Sequence, residues 1–371
     1  MVILDIAMPI ALFAVVTTAL FLNERVEGRL KTTFEERELS TRDVILLVVM
    51  IAISISTIAY VSLLNPGQIL QNIILIAFVF AYSLLLFTFS YLFSNMRKKR
   101  AQLFSAGFGI ASLVAGTISL IGPFTDGLAF YRALAFYGLA AFALSSIIID
   151  VRKTGAHERW YIAVQPPAMF VLLFVFFNLV YAGTAVWYPV LLDVFALTFA
   201  VLVILYLGSL FTWKTALIFA VLLTIVDIIL VLGTGSMVVA AQQFTGLGLP
   251  ILVHLPNVPL IRAPQNFIPS FFGFIPRGLG LGDFFFAGIL ALQTFKRYNK
   301  RVALLSIAAM TISFAIWEAF LPDIMNLLEP LLQRQIGGFP GTLMIICGWV
   351  LIVTWKMLNE RSKNGKRKET D

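Results

Sequence analysis

The stretch WKTALIFAVLLTIVDIILVL, residues 213–232, decides the class of fold. After Lys214 it carries a single ionisable side chain, Asp227, in otherwise uncharged and mostly aliphatic surroundings. A helix needs about 20 apolar residues to cross the hydrocarbon core of a bilayer, and this run has that length. An acid inside such a segment costs about 3 kcal/mol on insertion scales and more by other estimates, so Asp227 is a functional-site expectation in itself.

The rest of the chain has the same character. Of its 371 residues 60% are hydrophobic and 12% charged, with a mean hydropathy of +0.94, against an apolar share of about 45–50% in soluble domains. Runs of spanning or slightly shorter length fall at 1–22, 44–64, 70–94, 102–122, 128–149, 162–182, 190–209, 213–232, 281–295, 301–321 and 339–357. Backbone groups cannot stay unpaired in lipid, so these runs are expected to be helices. The expected fold is therefore an all-α polytopic membrane protein of about 11 spans. Met1 to Leu22 lacks a basic leader and carries Asp5, which reads as a retained first span rather than a signal peptide.

Charge orders these spans. The net charge of +8 sits in short clusters between apolar runs, which argues for orientation signals and against a nucleic-acid surface. Arg25, Arg29, Lys31, Arg37 and Arg42 fill the first loop; Arg97 to Arg100, Arg152 with Lys153 and Arg159, Lys214, Lys296 with Arg297, Lys300 with Arg301, and the tail from Arg361 to Lys368 follow. Loops 65–69, 123–127 and 183–189 have no Lys or Arg, 322–338 has only Arg334, and 233–280 has only Arg262 and Arg277. The positive-inside rule then places the N-terminus outside and the C-terminus in the cytoplasm, which an odd number of spans also requires.

On this layout span 213–232 runs outward and span 281–295 runs inward, which puts Asp283 at the same depth as Asp227 on the next antiparallel helix. Between them lies a segment holding Pro250, Pro256, Pro259, Pro264, Pro269 and Pro276. It is too proline-rich for one helix, and reads either as a substrate-facing flap or as an irregular loop packed on the helix ends. Two neighbouring carboxyls share one proton, because like charges a few Å apart cannot both ionise. One can then deprotonate water while the other donates to a carbonyl, although the pair titrates as a unit and the roles stay unassigned. Gly280 and Gly282, with Gly278 before them, lack Cβ atoms and are expected to let another backbone come close beside Asp283.

Val226-Asp227-Ile228, Gly233-Thr234-Gly235-Ser236-Met237 and Gly280-Leu281-Gly282-Asp283 together resemble the GxGD intramembrane aspartyl proteases of the presenilin and signal peptide peptidase family, the second branch more than the first. The resemblance covers mainly residues 215 to 357. It implies a multi-span protease whose two aspartates, carried onto Asp227 and Asp283, activate water without cofactor or metal to cut a transmembrane peptide or protein substrate within the bilayer. Family members have nine spans, with five before the first catalytic one, where this chain has seven. They carry Tyr where this chain has Val226. Their Pro-Ala-Leu motif has its counterpart in Pro340, Gly341, Thr342 and Leu343, correctly placed but not matching, with a site-shaping role implied. The outward run of the first catalytic helix is the signal peptide peptidase sense, which implies N-in, C-out substrates such as signal peptides. The domains expected are N-terminal scaffold helices over 1–212, a catalytic core over 213–357 and a basic cytoplasmic tail over 358–371. A prokaryotic cell membrane suits such a chain.

Two other readings compete. A proton-coupled secondary transporter also uses buried acids and broken helices, but those sites lie at the midplane of repeated halves, and no matching pair occurs in the first half of this chain. A prepilin-type peptidase also uses GxGD, yet its basic cytoplasmic loop around the first aspartate is missing. Asp5, Asp193 and Glu318 read as interfacial acids, with Glu318, beside Trp317, the one able to reach the pair. Gln165 and Asn178 read as interhelical hydrogen-bond partners, and Pro166 with Pro167 as a kink. His157 and His254 lack metal-ligand spacing. Cys347, the single cysteine, allows no intrachain disulfide.

Overall fold

In a computed structural model of the chain, residues 6–33, 38–63, 98–121, 129–152, 192–246, 251–256, 276–333 and 338–368 are described. They form helices α1 (Ala7–Thr33), α2 (Thr41–Leu63), α3 (Lys98–Ser119), α4 (Ala129–Arg152), α5 (Leu192–Leu210), α6 (Trp213–Ile228) and α7 (Ser236–Gly246). Strands β1 (Leu252–Pro256) and β2 (Pro276–Gly280) follow, then helices α8 (Leu281–Arg297), α9 (Lys300–Leu332) and α10 (Gly341–Lys368). The chain is thus mostly helical. Among the described residues six helical segments are long and apolar enough to cross a membrane: Ala7–Glu24, Thr41–Tyr60, Leu192–Leu210, Trp213–Gly233, Lys300–Leu332 and Gly341–Glu360. Large apolar side chains such as Leu46, Leu103 and Leu351 stand exposed on the helices, which in a polypeptide of this composition suggests a membrane protein. The expected runs at 70–94 and 162–182, with Asp5, His157, Gln165, Pro166, Pro167 and Asn178, lie outside the described residues.

Two compact units are distinguished, residues 71–188 and the remainder. In the smaller, α3 packs on α4. Gly116 makes that approach possible, since a Cβ there would lie 2.8 Å from the Tyr137 ring, and Thr117 Oγ1 and Tyr137 Oη share a hydrogen bond of 3.2 Å.

The larger unit is built around α8, which touches α1, α5, α6, α9 and α10. Every residue from Phe284 to Thr294 is buried, so this helix reads as a core element apolar on all sides. Glycine brings α5 against it: Cβ atoms at Gly208 or Gly288 would collide with Leu292 or Ile204, as expected where small residues set helix spacing in an apolar medium. Gln293, also buried, donates from Nε2 to the Gly208 and Phe211 carbonyls at 3.1 and 2.7 Å. Carbonyls in the last turn of a helix have no intrahelical donor, so this amide caps α5. Replacing Gln293 by leucine is expected to lower thermal stability by about 1 kcal/mol, the typical worth of such bonds in membrane bundles. An unchanged detergent-solubilised melting midpoint would show the cap to be idle.

Helix α6 starts at a reciprocal cap: Thr215 N donates to Thr212 Oγ1 at 3.2 Å and Thr212 N to Thr215 Oγ1 at 2.9 Å. At its far end the helix widens into a π turn over Ile229–Gly233. Trp213 packs on Tyr298 and Trp349, with ring centroids 5.8 and 5.7 Å away, and Arg297 lies over its ring at 6.0 Å. The start of α6 and the α8–α9 turn therefore share one end of the unit, together with Lys214, Lys296, Lys300 and Arg301.

Three sequence expectations change. The long 233–280 segment is neither wholly irregular nor wholly non-helical: it contains α7, and β1 pairs antiparallel with β2 from Leu252↔Gly280 to Pro256↔Pro276. The fold is accordingly helical with one small sheet, not strictly all-α. The prolines that hid the strands stand at the last rung, where a missing N–H costs no ladder bond. Helix α9 does not stop at 321 but runs through Pro322 and Pro330 to a left-handed Gln333, φ 53°, because proline removes one helical bond without forbidding the turns on either side. Helix α10 likewise continues to Lys368, past the apolar stretch that ends at Glu360, so the basic residues after it prolong the helix. The bundle also draws on both sides of the expected 212/213 boundary, since α1 and α5 pack directly on α8.

Candidate functional site

The ladder delivers α8 to the site. Leu281 N donates to Ile251 O at 2.8 Å, so strand β2 passes into α8 at Gly280 without a loop, and Asp283 falls in the first turn. Its carboxylate accepts from the Gly280 N–H, the reach-back bond of a capping arrangement. Asp227 sits one residue before the end of α6, against the π turn. Such turns are rare and recur at functional sites. Measured along the helices, about 20 Å of rise separates Trp213 from Asp227, and about the same separates Lys296 from Asp283. The two acids thus lie at matched height, opposite the basic end.

Both carboxylates line one cavity of about 260 Å³. Side chains from α2 (Ile51, Ile55), α6 (Leu223, Val226) and α7 (Met237, Ala240) supply apolar walls. Gly280, Leu281 and Gly282 form the rim beside Asp283, and Thr342 closes the α10 side. Asp227, Asp283 and Thr342 are the polar side chains among the described lining residues. Among the described residues no group of His, Cys, Asp and Glu could hold a metal ion.

Comparison with protein-family models, with curated proteins and with solved structures finds no match.

The contacts of the acids come from the first turn of α10. Thr342 Oγ1 donates to Asp227 Oδ2 at 2.6 Å, and Thr342 N donates to the same oxygen at 3.4 Å. Gly341 faces Asp283, and a Cβ on it would lie 2.6 Å from the carboxyl carbon. The close glycine approach is therefore at Gly341, not at Gly280 or Gly282 as the tetrapeptide led one to expect. A Cβ at Gly282 would meet nothing within 4 Å, because this residue borders the cavity, and one at Gly280 would make only an ordinary 3.4 Å contact. Leu343 and Pro340 do not line the cavity.

Two acids expected at the interface are buried instead. Glu318, 5% exposed, pairs through Oε1 with Arg277 Nη1 at 2.9 Å, which ties α9 to β2 just before the Gly280 turn; it does not line the cavity. Asp193, also 5% exposed, accepts the His254 N–H at 2.8 Å and ties α5 to β1. Pairing of this kind needs partners distant in sequence, which a charge pattern along one helix cannot reveal. Burial pushes His254 down to about 4, from an unfolded value near 6.5. The unfolded chain binds the extra proton between those values, so this contribution to stability is complete above about pH 6.5 and is lost as pH falls toward 4. Between about pH 6.5 and 4 the wild type is expected to lose stability relative to His254→Gln; melting midpoints that run parallel with pH would remove His254 as a contributor.

Proposed function

We propose that the chain is an intramembrane aspartyl protease that hydrolyses peptide bonds within transmembrane segments. The observation that supports this most is the meeting of Asp227 and Asp283, from helices far apart in sequence, in one otherwise apolar cavity. Two carboxyls in a poorly solvated space share a proton. One then takes a proton from water as it attacks, and the other donates to the scissile carbonyl oxygen. The carbonyls of a helical substrate are engaged in their own i to i−4 bonds, so the bond to be cut must open into extended chain before it reaches the acids.

In this reading the chain has about 11 spans, nine of them the family core. Its N-terminus is outside, its C-terminus cytoplasmic, and the site lies toward the outer face. The basic end formed by Lys214, Lys296, Arg297, Lys300 and Arg301 supports that sense. Substrates are then N-in, C-out single-span segments such as signal peptides.

The test uses liposomes holding purified protein and a single-span reporter in either orientation, with Asp227→Ala and Asp283→Ala beside the wild type. Cleavage inside the apolar segment by wild type alone, with the N-in, C-out reporter, is the expected result. Retained cleavage in either variant sinks the mechanism. Proton-driven solute uptake without cleavage of any reporter would favour a transporter instead.

A further inference from the structure

The geometry points to Thr342 as the positioning residue for Asp227. The inference deepens the protease reading and rests on it for its kinetic part. Asp227 Oδ2 receives two donors from Thr342, hydroxyl and backbone N–H, at 2.6 and 3.4 Å, and the shorter is in the range of an O–H donating to a charged carboxylate. No other hydrogen bond to Asp227 occurs among the described residues, and its neighbour Val226 has no side-chain donor. Thr342 is 3% exposed, so water does not compete for the bond.

The donor is also held still. A threonine in a helix is confined to two χ1 wells, and the bond to Asp227 selects one of them. Helix α10 is fixed in turn by Ser313 Oγ donating to Met344 O at 2.7 Å and by Trp349 Nε1 donating to Thr294 Oγ1 at 2.8 Å. Gly341 lets the same turn close against Asp283, so adjacent residues of one helical turn set both acids. The unpaired N–H groups and positive dipole end of that turn favour a negative carboxylate there. Thr342 thus orients Asp227 by its Oδ2, and its Oδ1 keeps no hydrogen-bond partner among the described residues. An attacking water needs that kind of fixed geometry from a general base.

Thr342→Val keeps the shape and removes the hydroxyl; Thr342→Ser keeps the hydroxyl. With the cleavable reporter, Thr342→Val is expected to lower kcat about 10- to 100-fold with little change in KM, the range for a lost hydrogen bond to a charged group. Thr342→Ser is expected to restore most of it, with both variants folded at the assay temperature. A wild-type kcat in Thr342→Val, or a serine variant as slow as the valine one, overturns the inference. A second measurement does not depend on turnover: the carboxyl infrared band that disappears in Asp227→Asn should shift in Thr342→Val and return in Thr342→Ser. An unmoved band overturns the role of Thr342 even if no reporter is ever cut, whereas a shifted band without cleavage would leave the positioning intact and remove the protease reading.

Discussion

Asp227→Asn and Asp283→Asn are each expected to reduce cleavage about ten-thousand-fold, the upper end of what positioned acid–base groups contribute, and the double variant is expected to be no slower than either single one. Residues that act as a unit are not additive: once one carboxyl is gone, the other has no partner with which to pass the proton. Asparagine preserves size, and at position 227 its amide oxygen can still accept from Thr342, so the loss would report chemistry and not packing. Stability should move the other way. Two acids buried in an apolar cavity cost solvation, and an amide at either position relieves their mutual repulsion, so the melting midpoint should equal or exceed that of the wild type. A slower double variant would mean that the carboxylates act independently, and a lower midpoint would mean that their role is architectural.

The largest expected loss of stability is at Gly348. A Cβ there would overlap the Ala309 carbonyl and lie 2.8 Å from Met310 Cα, so the obstruction is backbone of α9 and cannot swing aside. Overpacking usually costs about 1–3 kcal/mol; for Gly348→Leu about 3 kcal/mol or more is expected, with Gly348→Ala intermediate. Because α10 carries Gly341 and Thr342, its displacement would also pull both contacts off the acids, and any surviving protein should have lost activity out of proportion to the remaining fold. Denaturant unfolding in mixed micelles measures the first effect and specific activity of the folded fraction the second. A leucine variant of wild-type midpoint would show that α9 and α10 stand further apart than described.

The acid pair was legible in the sequence because ionisable groups in apolar runs are costly and therefore stand out. A common depth also followed, from the opposite directions that loop charges give the two runs. What held the acids was not legible. Thr342 lies on a helix that begins long after Asp283, in a motif that departs from that of the family it resembles, and nothing in its neighbours shows that its hydroxyl meets Asp227. Arg277 looked like a stray charge in an outer loop and Glu318 like an interfacial acid; each is explained only by the other. The strands were masked for a different reason, since Pro256 and Pro276 argue against secondary structure unless one knows that they face each other at the last rung. Helix α9 outlasts the apolar run 301–321 because Pro322 removes one helical bond without forbidding the turns on either side.

The brevity of α8 has a consequence for water. At 17 residues it rises about 25 Å, some 5 Å less than a typical hydrocarbon core, while α9, wrapped beside it, is nearly twice as long. Enclosed by α1, α5, α6, α9 and α10, a short helix leaves its shortfall inside the protein. With Trp213, Arg297 and Tyr298 packed together at the cationic end, that shortfall lies at the Gly280 and Asp283 end, beside the cavity. In the proposed reaction water is a reactant, and the length of this one helix sets how far it must travel to be consumed.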